Sequence, residues 1–325
     1  MRPSRIVVAA LVAFAPSLSA QAPAKSIPQR IADDFTTLYG LHPGYRINHA
    51  KGIVVTGTFT PSAAAPSLSR AAHFKAPVTV VARFSDAGGV PVIPDFNPNS
   101  SPRGFAVRFN LPGGAYTDIV SQNHNGFVVG TGEEFAEFLD AVVATKPTSP
   151  HPSPVEKFLG SHPRALKFAT SPPTTPESFA DLTWYGNNAL IFVNAQGVKQ
   201  AGRYQIVPIG TPKFFDSATA AKKPANYLMD EVKTHLAKEP IKLRVLVQLA
   251  NPGDQTSDGS IVWPDDRKTI DMGTITLTTV APNNAALQKQ LAFNPIYLTD
   301  GIQLSDDPLI AVRSAVYALS VAHRR

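Results

Sequence analysis

The sequence predicts an α+β protein in which an antiparallel sheet or barrel carries helices at its ends. Three observations lead there. Strand-like segments recur without a regular alternation of helices between them. Proline is abundant, 30 residues of 325, about twice the usual share near 5%, which favours turns and loops over a helical bundle. One clear amphipathic helical pattern stands among the strands.

In chain order, the strand-like segments run from Ile53 to Phe59, Val78 to Phe84, Gly104 to Phe109, Ala189 to Val193, Tyr204 to Ile209, Ile241 to Leu249 and Thr274 to Val280. In Ile241, Leu243, Val245, Val247 and Leu249 the apolar residues alternate with Lys242, Arg244 and Gln248, interrupted at Leu246. That is the pattern of a strand with one face on a core. Phe135, Phe138, Leu139 and Val142 fall at i, i+3, i+4 and i+7, and Glu133 and Glu134 supply first-turn acids, which predicts a helix. Pro147 to Pro154 and Ser171 to Pro176 read as Pro/Ser/Thr-rich loops. No internal repeat or linker divides the chain.

Met1 to Ala22 reads as a secretory signal peptide. Arg2 and Arg5 precede an apolar stretch from Ile6 to Phe14, and small residues end at Ala20-Gln21-Ala22. The apolar stretch is too short to span a bilayer. The expectation is cleavage after Ala20 or Ala22, a single domain over residues 23–325, and export, to a bacterial periplasm.

Composition excludes several chemistries. The chain has no cysteine, so disulfide scaffolds, thiolate metal sites and thiol-based redox are ruled out, and redox chemistry would need a bound cofactor. The net charge of +6 comes from scattered residues without a Lys/Arg-rich run, which suits small anions better than nucleic acid. There is no G-x-S-x-G, H-E-x-x-H or Walker loop. Gly130-Thr131-Gly132 begins like a dinucleotide loop, but Phe135 stands at the third glycine position. The eight histidines form no tight cluster with carboxylates. His124 and His323 read as structural, and His42, His73, His151, His162 and His235 as surface or loop residues.

Near the C-terminus, Asp307 and Pro308 read as N-cap and first helical residue. Arg313 and Tyr317 then sit at i and i+4, on one helical face. A cation there favours phenolate, and tyrosinate can serve as an axial ligand to haem iron.

Around these residues the sequence resembles the catalase family. The carrying segments are Arg46-Ile47-Asn48-His49-Ala50-Lys51-Gly52, Arg83-Phe84-Ser85, Arg103-Gly104-Phe105-Ala106-Val107-Arg108-Phe109, Asn123, Phe192-Val193-Asn194-Ala195, Trp263-Pro264, Gln290 to Pro295, Arg313-x-x-x-Tyr317 and Arg324, in family order. The resemblance implies a catalase-like barrel with haem b between barrel and C-terminal helix. Tyr317 would be the iron ligand and Arg313 would stabilise its phenolate. Arg46, Arg83 and Arg324 would hold the propionates, and Phe135 would stack near the haem. His49 would act as acid and base on peroxide, with Asn123 orienting the peroxide and Ser85 holding the histidine tautomer.

The implied activity is that of a short catalase-related peroxidase. It would reduce hydrogen peroxide and organic peroxides through a ferryl haem, oxidise small organic donors and show weaker catalase activity. Two departures bear on this. Ser121-Gln122-Asn123 replaces the family's G-N-N, and the sequence ends at Arg325, directly after the proximal helix, which implies haem open to larger peroxides and donors. The alternatives are a non-catalytic haem carrier or sensor, and a hydroperoxide isomerase on the same fold. No nucleic acid or stable membrane insertion is expected.

Overall fold

The structure, a computed structural model, describes residues 24–324; the signal peptide read over residues 1–22 lies outside them. Ten strands occur among these residues: β1 (Gly52–Pro61), β2 (Val78–Ser85), β3 (Gly104–Asn110), β4 (Tyr116–Gln122), β5 (Trp184–Tyr185), β6 (Leu190–Val193), β7 (Lys199–Pro208), β8 (Ile241–Leu249), β9 (Thr269–Val280) and β10 (Ile302–Leu304). The helices are α1 (Ile27–Tyr39), α2 (Ala65–Leu68), α3 (Gly132–Ala144), α4 (Pro154–Ser161), α5 (Pro163–Ala169), α6 (Ser217–Ala220), α7 (Tyr227–Leu236), α8 (Asn284–Gln290) and α9 (Leu309–Ala322).

Eight strands close on themselves in the order β1-β2-β3-β4-β5-β7-β8-β9 and back to β1, every pair antiparallel. β6 extends the sheet from the first half of β7, and β10 pairs with β6. Closure leaves no open edge in the ring, which protects a sheet from pairing with another chain.

Alternation along each strand divides the side chains between two environments. Phe59, Phe84, Phe105, Phe109, Trp184 and Leu243 point inward and are fully or almost fully buried in one apolar cluster, to which α7 adds Tyr227, Leu228, Met229 and Val232. Residues of opposite parity on β2, β3 and β4 face outward, beneath α8, α9 and the segment that enters β1. A second cluster outside the barrel joins α1, α3 and α9 through Ile31, Phe35, Ile47, Ala136, Leu139 and Val316.

The expected helix over Phe135 to Val142 is α3. Its start is fixed by a capping box, with the Thr131 hydroxyl accepting from the Glu134 N–H and the Glu134 carboxylate accepting from the Thr131 N–H. α9 begins one residue later than expected, yet Asp307 still caps it, accepting the Leu309 N–H at 2.9 Å. β4 has no counterpart among the strand-like segments expected from the sequence. β5 and β10 are too short for a period to register. His73 is a correction: instead of lying at the surface it is 1% exposed, packed inside the barrel against Phe59, Phe74 and Phe109. Its apolar neighbours Ala71, Ala72 and Phe74 were the available signal.

Candidate functional site: the outer face of β1 to β4

The polar residues gather on the outward rows. Ser85 on β2 pairs with Gly104 on β3, which pairs with Gln122 on β4. Directly paired residues project from the same face, so these three form one row, and His49 lies over it. A Cβ at Gly104 would fall 2.8 Å from Ser85 Oγ and 3.1 Å from the His49 ring. Glycine is required there because the imidazole occupies the place of a side chain.

His49 is the single non-glycine residue among the described ones with positive φ, 55°, a costly conformation for this residue type. Three bonds hold it. Its N–H donates to Asn48 Oδ1 at 2.9 Å, its carbonyl accepts from Arg83 Nη2 at 2.9 Å, and its Nδ1 lies 3.0 Å from the Asp86 carbonyl. A carbonyl oxygen only accepts, so Nδ1 carries the proton and Nε2 keeps its lone pair. Ser85 Oγ, at 3.3 Å from Nδ1, supports the same tautomer from a second direction while reaching the Gly104 carbonyl. The Asp86 carbonyl is therefore the nearer determinant. Burial pushes the His49 pKa down to about 4, helped by the charges of Arg83, Arg46 and Arg313. At neutral pH the ring is an uncharged base.

Beneath Asp86 lies a buried ionic group. Lys51 Nζ donates to Asp95 and to the carbonyls of Ile93 and Ala225 at 2.7 and 2.8 Å. Arg103 Nε lies 3.2 Å from the Asp86 carboxylate. Removing one member of such a group leaves an uncompensated charge, so the strand end bearing the Asp86 carbonyl is firmly held.

Asn123 has its amide engaged by protein. Its Oδ1 accepts the Arg103 N–H, and its Nδ2 donates to Thr174 Oγ1 at 2.9 Å. It clips the loop after β4 to the loop before β3. Gln122, one residue earlier, is the amide that shares the outward row with Ser85 and Gly104, and its Nε2 donates to the Gly126 carbonyl at 3.2 Å. Alternation along β4, whose last residue is Gln122, was the signal that could have singled it out.

Arg46, Arg83 and Arg324 converge as expected. Arg46 donates to the carbonyls of Gln288 and Leu291 at 3.0 and 2.8 Å, and Arg324 Nη1 reaches the same two at 2.8 and 2.9 Å. Arg83, 4% exposed, donates to Gln288 Oε1 at 3.0 Å. Burial and the mutual repulsion of these guanidiniums hold the Arg46 pKa well below its ordinary value and push that of Arg83 down to about 9. Among the described residues no carboxylate forms an ion pair with Arg46 or Arg83. Guanidiniums held by carbonyl oxygens, as Arg46 and Arg83 are, are a donor set that fits the two carboxylates of a haem.

Across this face runs α9, tied to the His49 segment by the Ile47 N–H, which donates to Ser320 Oγ at 3.4 Å. Arg313 Nη2 donates to the Tyr317 hydroxyl oxygen at 3.0 Å. Its Nη1 donates to Asn188 Oδ1, whose Nδ2 donates to Asp307 Oδ2 at 2.7 Å. Asp307 thus caps the helix and, through Asn188, orients the guanidinium that faces the phenol. Phe135 packs against Phe35 of the outer cluster and against Phe127. The structure therefore brings His49, Ser85, Arg46, Arg83, Arg313, Tyr317 and Arg324 together, with Phe135 in the helix packed behind them. Asp86, Asn188, Gln122 and Gln288 were missed by motif reading.

The Catalase family pattern matches residues 43–325. The catalase-related peroxidase of Synechococcus elongatus is 33% identical over 304 residues, 91% of this chain and 88% of that protein. That of Mycolicibacterium paratuberculosis is 33% identical over 301 residues, covering 91% and 94%. Catalase-2 of Arabidopsis thaliana is 24% identical over 86% of this chain but 60% of its own length. In fold, a bacterial catalase superposes with a TM-score of 0.76 at 22% identity, over 96% of this chain and 63% of that one. Catalase A of Saccharomyces cerevisiae gives 0.76 at 20% identity, over 87% and 62%. The chain belongs to the catalase family and is an oxidoreductase that acts on peroxide.

Proposed function

We propose that this protein is an exported, haem b-dependent peroxidase that reduces hydrogen peroxide and organic peroxides at the expense of small organic donors, with weaker catalase activity. The observation that carries this reading is the meeting, on one outer face of the barrel, of the Arg313-Tyr317 pair, three guanidiniums and an uncharged, tautomer-fixed histidine.

Arg46, Arg83 and Arg324 would hold the propionates, and Tyr317 would bind the iron, with Arg313 donating to its oxygen. Haem, when bound, supplies the redox chemistry that breaks the peroxide O–O bond. His49 Nε2 takes a proton from one peroxide oxygen and returns it to the other, which leaves as water. Nδ1 keeps its own proton on the Asp86 carbonyl throughout, so the ring cannot turn away. Asn123 fixes the loop after β4, Gln122 lies on the outward row with Ser85 and Gly104, and Phe135 packs against Phe35 and Phe127.

The test loads the purified protein with haem, adds hydrogen peroxide, and follows oxygen release together with oxidation of an organic dye. Dye oxidation outrunning oxygen release supports the peroxidase reading. Oxygen release alone makes the protein a catalase, bound haem without turnover a carrier, and rearrangement of a fatty-acid hydroperoxide without dye oxidation an isomerase. Export is tested by the mass of the protein from the periplasmic fraction, which should correspond to a start after Ala20 or Ala22.

A further inference from the structure

The geometry points to Tyr116 as the surface phenol at which organic donors too bulky to reach the haem give up their electrons. The inference rests on the peroxidase reading above and names a second place where that reaction meets its donor.

Three features set Tyr116 apart. It is 38% exposed, so a large donor can touch it. Its ring meets that of Tyr297 edge to face, with centroids 5.3 Å apart. The Arg108 guanidinium lies 3.9 Å from its ring centroid, held there by both oxygens of Asp118 at 2.8 Å. That bidentate pair fixes the guanidinium and offsets its charge beside the phenol. Tyr45 is the more exposed phenol, at 48%, but among the described residues no ring contact joins it to another aromatic side chain.

From Tyr116 the contacts lead back to the haem face. Val120, four residues further along β4 and about 13 Å of strand away, shares a row with Ala106 and Arg83. The Tyr297 N–H donates to the Asn294 carbonyl at 3.1 Å. Asn294 Nδ2 then donates to Ser314 Oγ at 2.9 Å, one helical turn before Tyr317 on α9. A ring contact and two hydrogen bonds thus join the exposed phenol to the helix of the iron ligand.

The step balances. Tyr116 gives one electron, by way of Tyr297, to the haem that peroxide has oxidised, and its phenolic proton passes to the water outside. That proton balances the one taken from solvent as the haem is reduced. A phenolic donor at the surface then returns an electron and a proton to Tyr116 and leaves as a radical. Two such turns restore the two electrons that one peroxide removes.

The test uses the haem-loaded full chain and two forms of one donor, a free phenol and the same phenol tethered to a large dextran. Wild type is compared with Tyr116→Phe and Tyr45→Phe. Phenylalanine keeps each ring and removes a hydroxyl that bonds to nothing among the described residues, so both variants should melt with wild type. Tyr116→Phe is expected to lower kcat/KM for the tethered phenol about tenfold or more and to leave that for the free phenol within about twofold. Tyr45→Phe should match wild type on both. With peroxide and no donor, wild type should form dityrosine-linked dimers, seen by fluorescence and by the mass of the cross-linked peptide that contains Tyr116, and Tyr116→Phe should not.

Oxidation of the tethered phenol that survives in Tyr116→Phe, or that falls in Tyr45→Phe instead, overturns the inference alone. So does a wild type that oxidises the free phenol and not the tethered one. A wild type that oxidises neither overturns the peroxidase reading, and the inference with it.

Discussion

Two histidines desolvated by this fold sit on opposite sides of the same sheet. His73, inside the barrel, has a pKa pushed down to about 3 by burial, and neither ring nitrogen has a hydrogen-bond partner among the described residues. His49, outside, is pushed down to about 4, with Nδ1 on the Asp86 carbonyl and three arginines contributing to the shift. Their titration is similar and their surroundings are not. Phenyl rings around His73 leave its tautomer unspecified, whereas a carbonyl fixes that of His49 and aims its lone pair. A depressed pKa alone does not mark a working histidine; the partner on its other nitrogen does.

The largest effect that could break this comparison is on turnover. His49→Ala is expected to retain haem and lose about 10²–10⁴ in peroxide turnover, the usual worth of a positioned acid-base group. His73→Phe should leave the rate within about twofold, because it removes no group in reach of peroxide. Steady-state kinetics on the two haem-loaded variants decides it, and equal losses would contradict the division of roles.

Acidity provides the next test. Both histidines are neutral when folded and have ordinary affinity for protons when unfolded, so the unfolded chain binds more protons below pH 6.5. Their contribution to stability is fully present above that pH and falls as the pH drops toward 4 for His49 and 3 for His73. The loss is roughly 1.4 kcal/mol per pH unit for each. Urea unfolding of wild type from pH 7 to 4 should show this slope, and His73→Phe should remove one histidine's share. Turnover, by contrast, should fall only as His49 itself charges, near pH 4, and should keep that profile in His73→Phe.

A smaller effect separates neighbouring amides. Asn123→Ala removes a clip between loops and should cost about 1–3 kcal/mol in stability, read by thermal melting. Gln122→Ala, on the outward row, should lower turnover more than it lowers the melting temperature. Ser85→Ala should be the mildest, about tenfold or less in turnover, because the Asp86 carbonyl keeps the imidazole proton in place.

Much of the barrel was legible because its strands carry alternation long enough to read: Ile241 to Leu249 coincides with β8, and Val78 to Phe84 falls within β2. β5, two residues long, offers no period, yet it closes the ring between β4 and β7. β4 was obscured because Ser121 faces inward, with its hydroxyl donating to the Phe105 carbonyl, and so breaks the apolar alternation. In the site, Tyr317 and Arg313 could be read from helical spacing, and the other arginines from motif order. Gln288, Asn188 and Asp86 could not. Two of them act through a backbone carbonyl, and the bonds of Gln288 and Asn188 to their arginines join positions 36 to 242 residues apart. No local pattern encodes such partners.

The most direct test of the account is the absorption spectrum of the haem-loaded protein beside that of Tyr317→Phe. Wild type should show high-spin ferric haem with a tyrosinate signature, and Tyr317→Phe should lose that signature while the arginine cluster still retains haem. An unchanged spectrum in Tyr317→Phe, or a wild type that takes up no haem, would contradict the assignment of this outer face as the haem site.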